Sequence, residues 1–507
     1  MKKTSIINLS IIALMTILSC DLDEDPIFLD ESTVYGNIEV AKGALDGIYQ
    51  GITSYGSQEQ RIFVQNGFSG LFATGKNGNV LDNVNNLNLF SLKPTYDLDS
   101  ESMWGAMYAI IARCNGAINN IMTKEEPLTS DDSGFNDIAG QAYFVRAWSY
   151  FTLTRLFKDI PLWLTLPDNE NLAQSTTSSK NVYAQIIEDA KIATMLINGS
   201  MGAGYPKKFA ANMLLAKVYM TLATNSSIRE DGVSESQYWQ MAYDEAIKAY
   251  GQYSLVTDYE TLFTDSNENS SESIFELQIS QDAANSQMGR NYTPFKYKVG
   301  NHFGWLRVHA DVYNSHVNTY PNDPRINGTY LSEYEHATNG NTLKVYPANA
   351  TRSQFRNAHP YLFKFTEKDK QHNNQYNDQN VIIYRYAELL IMLSEISNEL
   401  QNGQQLGYIT EVLNRVGMTP HPGYLSGQDD FRNAIMNEYR FELIGEGEDA
   451  HNNRRRGFDY FLNNTISKHN NNSIFSSNVD INLSTDPSRV MTLPIPLTEI
   501  NTNELID

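Results

Sequence analysis

Between Trp104 and Tyr250, apolar residues recur at helical spacing in five successive segments, and this recurrence limits the fold more than any other feature of the chain. Trp104, Met107, Tyr108, Ile111, Ile118 and Ile121 fall three, four or seven apart and make one apolar helical face. Tyr143, Ala147, Tyr150, Leu153 and Phe157 repeat the pattern and stop near Asp159-Ile160-Pro161. Tyr183, Ile186, Ile187, Ala190 and Ile197 form a third face before Asn198-Gly199. Phe209 to Leu222 is apolar almost all round, which predicts a helix buried on every side. Trp239 to Tyr250 is the fifth, closed by Gly251. Pairs of these segments start at intervals of roughly 30 to 40 residues, with alanine and aromatic residues at the contact positions. Hairpins of this kind stack side by side into a curved scaffold. The expected fold class is therefore mainly α: a tetratricopeptide-like helical hairpin scaffold with long irregular insertions and a few short strands.

Outside this stretch the signals are shorter. Val40 to Ile52 predicts a helix, with Ala44, Leu45 and Ile48 inward. From Tyr55 to Asp99 the periodicity fades, Gly, Asn and Ser dominate, and an irregular segment is expected. Glu272 to Ile279 (ESIFELQI) reads as a strand. From 280 to 380 there is little helical period, and helices return at Tyr384 to Leu400, Tyr408 to Val416 and Phe431 to Ile444. Asn463 to Ser484 is an Asn/Ser-rich loop. No linker shows a sharp shift in composition. The expectation is one domain over 37–507, with a helical scaffold at 100–260 and 381–460 and variable insertions at 55–99 and 280–380. Irregular segments that long are where ligand contacts concentrate.

The chain carries 38 Lys plus Arg against 59 Asp plus Glu, a formal charge of −21. Such a surface repels phosphate backbones, and no basic stripe interrupts it, so nucleic acid is excluded as a partner. The N-terminus has its own logic. Lys2 and Lys3 precede an apolar run from Ile6 to Leu18, too short to span a bilayer and suited to a signal peptide over 1–19. The run ends Ile17-Leu18-Ser19-Cys20, a pattern that resembles the lipobox of bacterial lipoproteins. Cleavage there would make Cys20 the lipid anchor, carrying palmitate-type chains, and 20–36 an acidic tether beginning Asp21-Leu22-Asp23-Glu24-Asp25. Acidic residues directly after the anchor resemble a surface-export signal, which places the mature chain on the outer membrane, facing the exterior. Cys114 is then the one cysteine left in the body and forms no intramolecular disulfide. It reads as a small buried hydrophobe.

Catalytic signatures are missing from the sequence: there is no HExxH, P-loop, GxSxG or CxxC. His302, His309 and His316 recur every seven residues, which on a helix sets neighbours about 10 Å apart, too far to share an ion. Asp265, Asn267, Asn269 and Glu276 mimic calcium-loop positions, but Ser270 replaces the required glycine and the strand reading competes. No metal, no cofactor and no catalytic residue are expected. Glu438, Glu442 and Glu446 lie on one helical face with Arg432, Arg440, Arg454, Arg455 and Arg456 near in sequence, which favours structural ion pairs over a glycosidase pair. What remains is aromatic. Thirty Tyr, 22 Phe and five Trp accompany abundant Asn, and flat rings beside amides suit sugars. The candidate ligand-binding rings are those of the irregular segments: Phe68, Phe72 and Tyr96 in the first, Tyr292, Phe303 and Trp305 in the second.

Several stretches, taken in order, resemble the SusD/RagB family of outer-membrane nutrient-binding lipoproteins. They are Gln141 to Phe151 (QAYFVRAWSYF) with Asp159 to Leu162, Ala210 to Tyr219 (AANMLLAKVY), and Glu272 to Gln278. Tyr384 to Leu390 (YRYAELL) with Ser394-Glu395, Asn437 to Leu443 with Gly447 and Arg454-Arg455, and the C-terminal Leu493-Pro494-Ile495-Pro496 to Asn503 complete the set. Tyr439, where an arginine usually follows the glutamate, and His451-Asn452-Asn453 depart from the pattern. The resemblance implies a lid on a SusC-like TonB-dependent β-barrel transporter. The lid would capture an oligosaccharide and deliver it without covalent chemistry. Peptide capture by the same kind of transporter is the alternative, with a surface glycosidase and a purely structural lipoprotein behind it.

Overall fold

The periodic segments are helical, and most outrun their apolar runs because polar residues cap and extend them. In the computed structural model the described residues are 31–74, 88–96, 98–122, 132–167, 172–280, 288–294, 296–297, 302–304, 306–344, 346, 359–366, 378–471 and 482–506. Helix α1 spans Ile38–Thr53, and the Asn37 side chain caps it by accepting from the amides of Glu39 and Val40. Helix α2 spans Tyr55–Phe68 and leads into strand β1, Phe72–Thr74. Helices α3 (Leu98–Met122), α4 (Ser133–Phe157), α5 (Ser179–Leu196), α6 (Lys208–Thr224) and α7 (Glu235–Ala246) are the five periodic segments. A capping box starts α7: Ser234 Oγ accepts from the Gln237 amide at 3.2 Å, and the Gln237 side chain accepts from the Ser234 amide at 2.8 Å.

Each helix packs on the next, from α3 through α7. Strand β2 (Ser273–Leu277) follows, then β3 (Leu306–Val308), α8 (Ala310–Thr319), β4 (Tyr330–Leu331), β5 (Tyr361–Leu362) and β6 (Val381–Arg385). Helices α9 (Tyr386–Leu400), α10 (Gln405–Arg415), α11 (Gln428–Leu443) and α12 (Asp449–Arg455) close the frame, with α7, α10 and α11 all against α9. One buried apolar cluster takes in residues from Tyr35 to Leu493. As the all-round apolar run predicts, α6 is buried along nearly its whole length. Cys114 is buried in α3, where burial pushes its thiol up. Among the described residues no helix is long and apolar enough to cross a membrane.

Two of the small sheets join segments far apart in sequence. Strand β6 pairs antiparallel with β2, Val381 opposite Leu277 and Arg385 opposite Ser273. The other sheet runs β1-β3-β5-β4, with Phe72 opposite Val308, Arg307 opposite Tyr361 and Tyr330 opposite Leu362.

Three expectations change. The segment from Tyr55 begins as a helix and not a loop. Its buried residues mix polar and apolar: Arg61, Gln65 and Asn66 are buried beside Ile62, Phe63, Val64 and Phe68, and Asn66 donates to the Gly445 carbonyl at 2.9 Å and to Tyr292 Oη at 3.0 Å. A stretch buried on every side, with tertiary hydrogen bonds serving its polar residues, shows no single apolar stripe for periodicity to find. Within 280–380, α8 is a helix whose buried face holds only Ala310, Val312 and His316, too few for a period to show. Tyr384 and Arg385 belong to β6, so the helix there starts at Tyr386.

Gly140 sets a very close helix approach in the frame. A Cβ there would lie 2.8 Å from the Ile197 amide nitrogen and 2.9 Å from the Leu196 Cβ, so α4 and α5 would have to separate. Gly140→Ala should therefore destabilise by about 1–3 kcal/mol despite its better helix propensity, read as a lowered thermal midpoint. An unchanged or raised midpoint would contradict this packing.

Candidate functional site

The three glutamates of the C-terminal helical face come first, because they are the chain's nearest approach to a catalytic carboxylate pair. Strand pairing sets Arg385 beside Glu272, and α11 delivers Glu438 and Glu442, with Glu446 just beyond its end. Arg385 donates to Glu272 Oε1 at 2.9 Å and to Glu446 Oε2 at 2.8 Å. Glu442 accepts from Arg385 and Arg415 on one oxygen and from Arg325 at 2.8 Å on the other. Lys364 Nζ donates to Glu446 at 2.6 Å, and Arg325 to Asp323 at 2.6 Å. Five carboxylates (Glu272, Asp323, Glu438, Glu442, Glu446) thus meet four cations (Arg325, Lys364, Arg385, Arg415).

The odd carboxylate is identifiable. Burial raises the pKa of Glu438, while Arg415, Arg385 and Arg325 overcome burial and hold Glu442 well below the usual range. Glu438 and Glu442 have no solvent-accessible face for a sugar. The ion-pair expectation holds, but with other partners. Arg455 and Arg456 bind Glu395 on α9, and Arg454 donates to the carbonyls of Val490, Ala450 and Phe68.

The small sheet is the second locus, and there the aromatic residues gather. Tyr361 of β5 meets Tyr334 edge-on at a centroid distance of 6.3 Å, and Tyr297 meets Tyr334 at 6.1 Å and Phe363 at 5.6 Å. The Arg307 guanidinium lies 4.1 Å from the Tyr361 ring centre. Gly304 has φ +56°, and a Cβ on it would sit 2.6 Å from the Tyr361 ring, so only glycine lets this strand of backbone press against the tyrosine. Phe303, half-buried, is its neighbour, and Tyr297 is half-buried at the edge of the same cluster. On the far side of the sheet Tyr313 packs edge-on against Tyr330 and Tyr346.

The predicted ligand rings divide sharply. Phe68, Phe72 and Tyr292 are a correction: at 0–1% exposure they are core residues and offer no face to a ligand. Phe68 lies under the Arg454 guanidinium at 3.7 Å, Phe72 is a strand residue opposite Val308, and Tyr292 packs on Phe365. Tyr96 is exposed at 47% and Phe303 is half-buried. Trp305 and Cys20, the expected lipid anchor, lie outside the described residues. Sequence reasoning missed Tyr297, Tyr334 and Tyr361. The density of tyrosine between 292 and 361 is the signal, but it names no partners.

The heptad of histidines does not act as a unit. His316 stacks on Phe441 at 4.3 Å and pairs with Asp323 at 3.0 Å, whereas His309 stacks on His469 at 4.1 Å. Among the described residues His309, Asp311 and His469 bring metal-ligating atoms together.

Among the described residues, cavities also lie elsewhere. One of about 530 Å³ is lined by Tyr205, Tyr253, Gln252, Asn269, Ser271 and Glu276. Another, about 400 Å³, is lined in part by Arg155, Tyr183, Lys217, Glu388, Glu448 and His451. In it Lys217 joins Glu388 and Glu448, and Arg155 donates to Glu448 at 2.8 Å.

The chain resembles known proteins over almost its whole length. A family profile described as SusD family matches residues 237–507, and one described as "Starch-binding associating with outer membrane" matches 30–220. SusD-like protein P2 of Formosa agariphila is 25% identical over 467 residues, covering 86% of this chain and 87% of that one. A SusD homolog from Bacteroides thetaiotaomicron superposes with a TM-score of 0.78 at 19% identity, over 96% of this chain and 99% of its own. A laminarin binding SusD-like protein superposes with a TM-score of 0.69 at 19% identity, over 92% and 98%.

Proposed function

The chain belongs to the SusD family, and from that premise we propose that it is a non-catalytic outer-membrane lipoprotein that binds oligosaccharides and hands them to a SusC-like TonB-dependent β-barrel transporter. The observation that carries the glycan reading is the tyrosine-rich sheet, where half-buried Tyr297 and Phe303 border a packed ring cluster. Rings held rigidly from behind offer flat apolar faces with little entropy left to lose, which suits the C–H face of a pyranose. Arg307 is itself buried and braces the Tyr361 ring, so the polar partner offered to a sugar hydroxyl is the Tyr297 hydroxyl. The laminarin binding neighbour supports the same class of ligand. Tyr96, exposed on the segment that follows α2 and β1 in sequence, joins Tyr297 and Phe303 in the proposed contact set, and Trp305 remains in it from sequence alone. Lipid attachment at Cys20, the tether over 20–36 and a single domain over 37–507 complete the reading.

The test is calorimetric titration of protein starting at Asp21 against oligosaccharides and mixed peptides, with each ligand checked for breakdown afterwards. An intact glycan should bind, and alanine at Tyr297 or Phe303 should weaken it by about 1 kcal/mol, roughly fivefold. A peptide in its place would move the protein to the alternative cargo, and unchanged affinity in both variants would remove the sheet face as the site.

A further inference from the structure

His309 is the residue between β3 and α8, Asp311 lies in the first turn of α8, and His469 sits in the short helix Ser467–Asn470 of the C-terminal segment. One ligand atom from each lies within 4.8 Å of the other two. Both imidazoles are buried. His309 is fixed twice over. Its backbone amide donates to the Leu71 carbonyl at 2.9 Å, and its ring hydrogen-bonds backbone at Gly70 and Phe72. Backbone hydrogen bonds of this kind fix the orientation of an imidazole, the support that metal-bound histidines usually have. Asp311 Oδ1 is buried and accepts no hydrogen bond among the described residues.

A third imidazole clarifies the set. His359 lies 5.3 Å from His309 ring to ring, and its Nδ1 accepts from the Ala310 amide at 3.1 Å. That bond uses its lone pair and leaves the proton on Nε2, so His359 packs beside the group and is not one of its ligands.

We propose that His309, Asp311 and His469 bind one divalent transition-metal ion, zinc above all, and so pin the C-terminal segment to the sheet that carries the aromatic face. Two imidazoles and a carboxylate are a zinc set. Calcium and magnesium ask for oxygen ligands in larger number and take imidazole poorly. Four-coordinate zinc with bonds of about 2.0–2.1 Å sets its ligand atoms about 3.3 Å apart. The ion would draw these three side chains together by up to about 1.5 Å, splaying imidazoles that stack at 4.1 Å and 17° without it. The fourth position is left for water. The charged groups that oppose it are Lys468, next to His469 in sequence and electrostatically coupled to Asp311, and Arg440, which acts on Lys468.

The full chain, purified in detergent and stripped with a chelator, is titrated with zinc chloride, with calcium and magnesium chlorides in parallel. Bound metal and thermal midpoint are the readouts, and neither depends on a glycan. Close to one zinc per chain and a raised midpoint are expected, with no response to calcium or magnesium. His469→Gln and Asp311→Asn should each weaken zinc at least tenfold, and Lys468→Gln should tighten it. Because His469 is buried and its variant can fail to fold, the half-buried Asp311→Asn carries the decision. A wild-type protein that neither retains zinc nor gains thermal stability from it overturns the proposal. So does zinc binding that Asp311→Asn leaves unchanged, since the ion would then be held by other histidines.

Discussion

Glu442→Gln should destabilise the protein by about 3–5 kcal/mol, enough to leave much of it unfolded at 37 °C. The side chain has no solvent-accessible surface and accepts from three arginines, Arg325, Arg385 and Arg415. Glutamine keeps the shape but removes the negative charge and presents an N–H to guanidinium groups that are themselves donors. Three buried cations then lose their shared counter-charge, and the local balance of five acids and four bases loses its acidic excess where the arginines converge. Removing one partner of a buried network is expensive for this reason, even where the whole network contributes little relative to an apolar core. Asp231→Asn is the control. Asp231 pairs with Lys180 across open solvent, its side chain 98% exposed, and its loss should shift nothing measurable.

Thermal and urea unfolding of both variants read the contrast. A Glu442→Gln protein as stable as wild type would sink the structural account. The same experiment separates the surface-glycosidase alternative, because an enzyme acting through Glu438 and Glu442 would lose turnover while staying folded. In this geometry, folding is what the carboxylates serve.

How far the sequence reaches depends on where the stabilising contacts sit along the chain. Helices α5 and α6 bury apolar residues against sequence neighbours, and their extents follow from spacing within a few residues: the run from Phe209 to Leu222 predicts the helix found at Lys208–Thr224, whereas α4 begins ten residues before its first periodic position, Tyr143. Strand β2 is equally legible, as Ser273–Leu277 inside the expected Glu272 to Ile279. Helix α2 is not, because buried Arg61, Gln65 and Asn66 are interleaved with its buried apolar residues, with Gln65 meeting His451 and Asn66 meeting Gly445 and Tyr292, far away in sequence. The same limit applies to the charge network. The face made by Glu438, Glu442 and Glu446 is visible, yet Arg325, Arg385 and Lys364 come from other elements and no spacing points to them. The aromatic candidates fail or survive by one criterion, which side of the sheet or helix they occupy. Phe72 is a strand residue whose ring faces the core, whereas Phe303 lies beside the glycine that presses on Tyr361. His309 and His469 are 160 positions apart, so only the fold could join them.

The pH dependence of stability follows from the same burial, with opposite signs at different carboxylates. Glu395, held by Arg455 and Arg456, and Asp323, held by His316 and Arg325, have pKa values lowered to about 2. Their contributions are complete above the ordinary values of 4.5 and 3.8 and are lost as pH falls through about 2. Asp449 works the other way. It is buried at the start of α12, with the Gly445 amide donating to it at 3.1 Å and no cation paired with it among the described residues, and burial raises its pKa from 3.8 to about 7. A carboxyl raised on folding favours the native state below its unfolded pKa, and that advantage is lost as pH climbs through about 7.

At about 1.36 kcal/mol per unit, a shift of this size corresponds to about 2–4 kcal/mol after allowance for relaxation around the buried charge. An asparagine side chain at this position never ionises, and its oxygen still accepts from the Gly445 amide. Asp449→Asn should therefore match wild type near about pH 4 and exceed it by several degrees in thermal midpoint at about pH 8, with the gap opening between those values. The measurement is the difference between variant and wild-type midpoints across that range. A constant difference would mean that Asp449 keeps an ordinary pKa through a water or cation that reaches it, and a wild-type decline between about pH 4.5 and about 7 would then come from Glu388, a second carboxyl that burial raises to about 7.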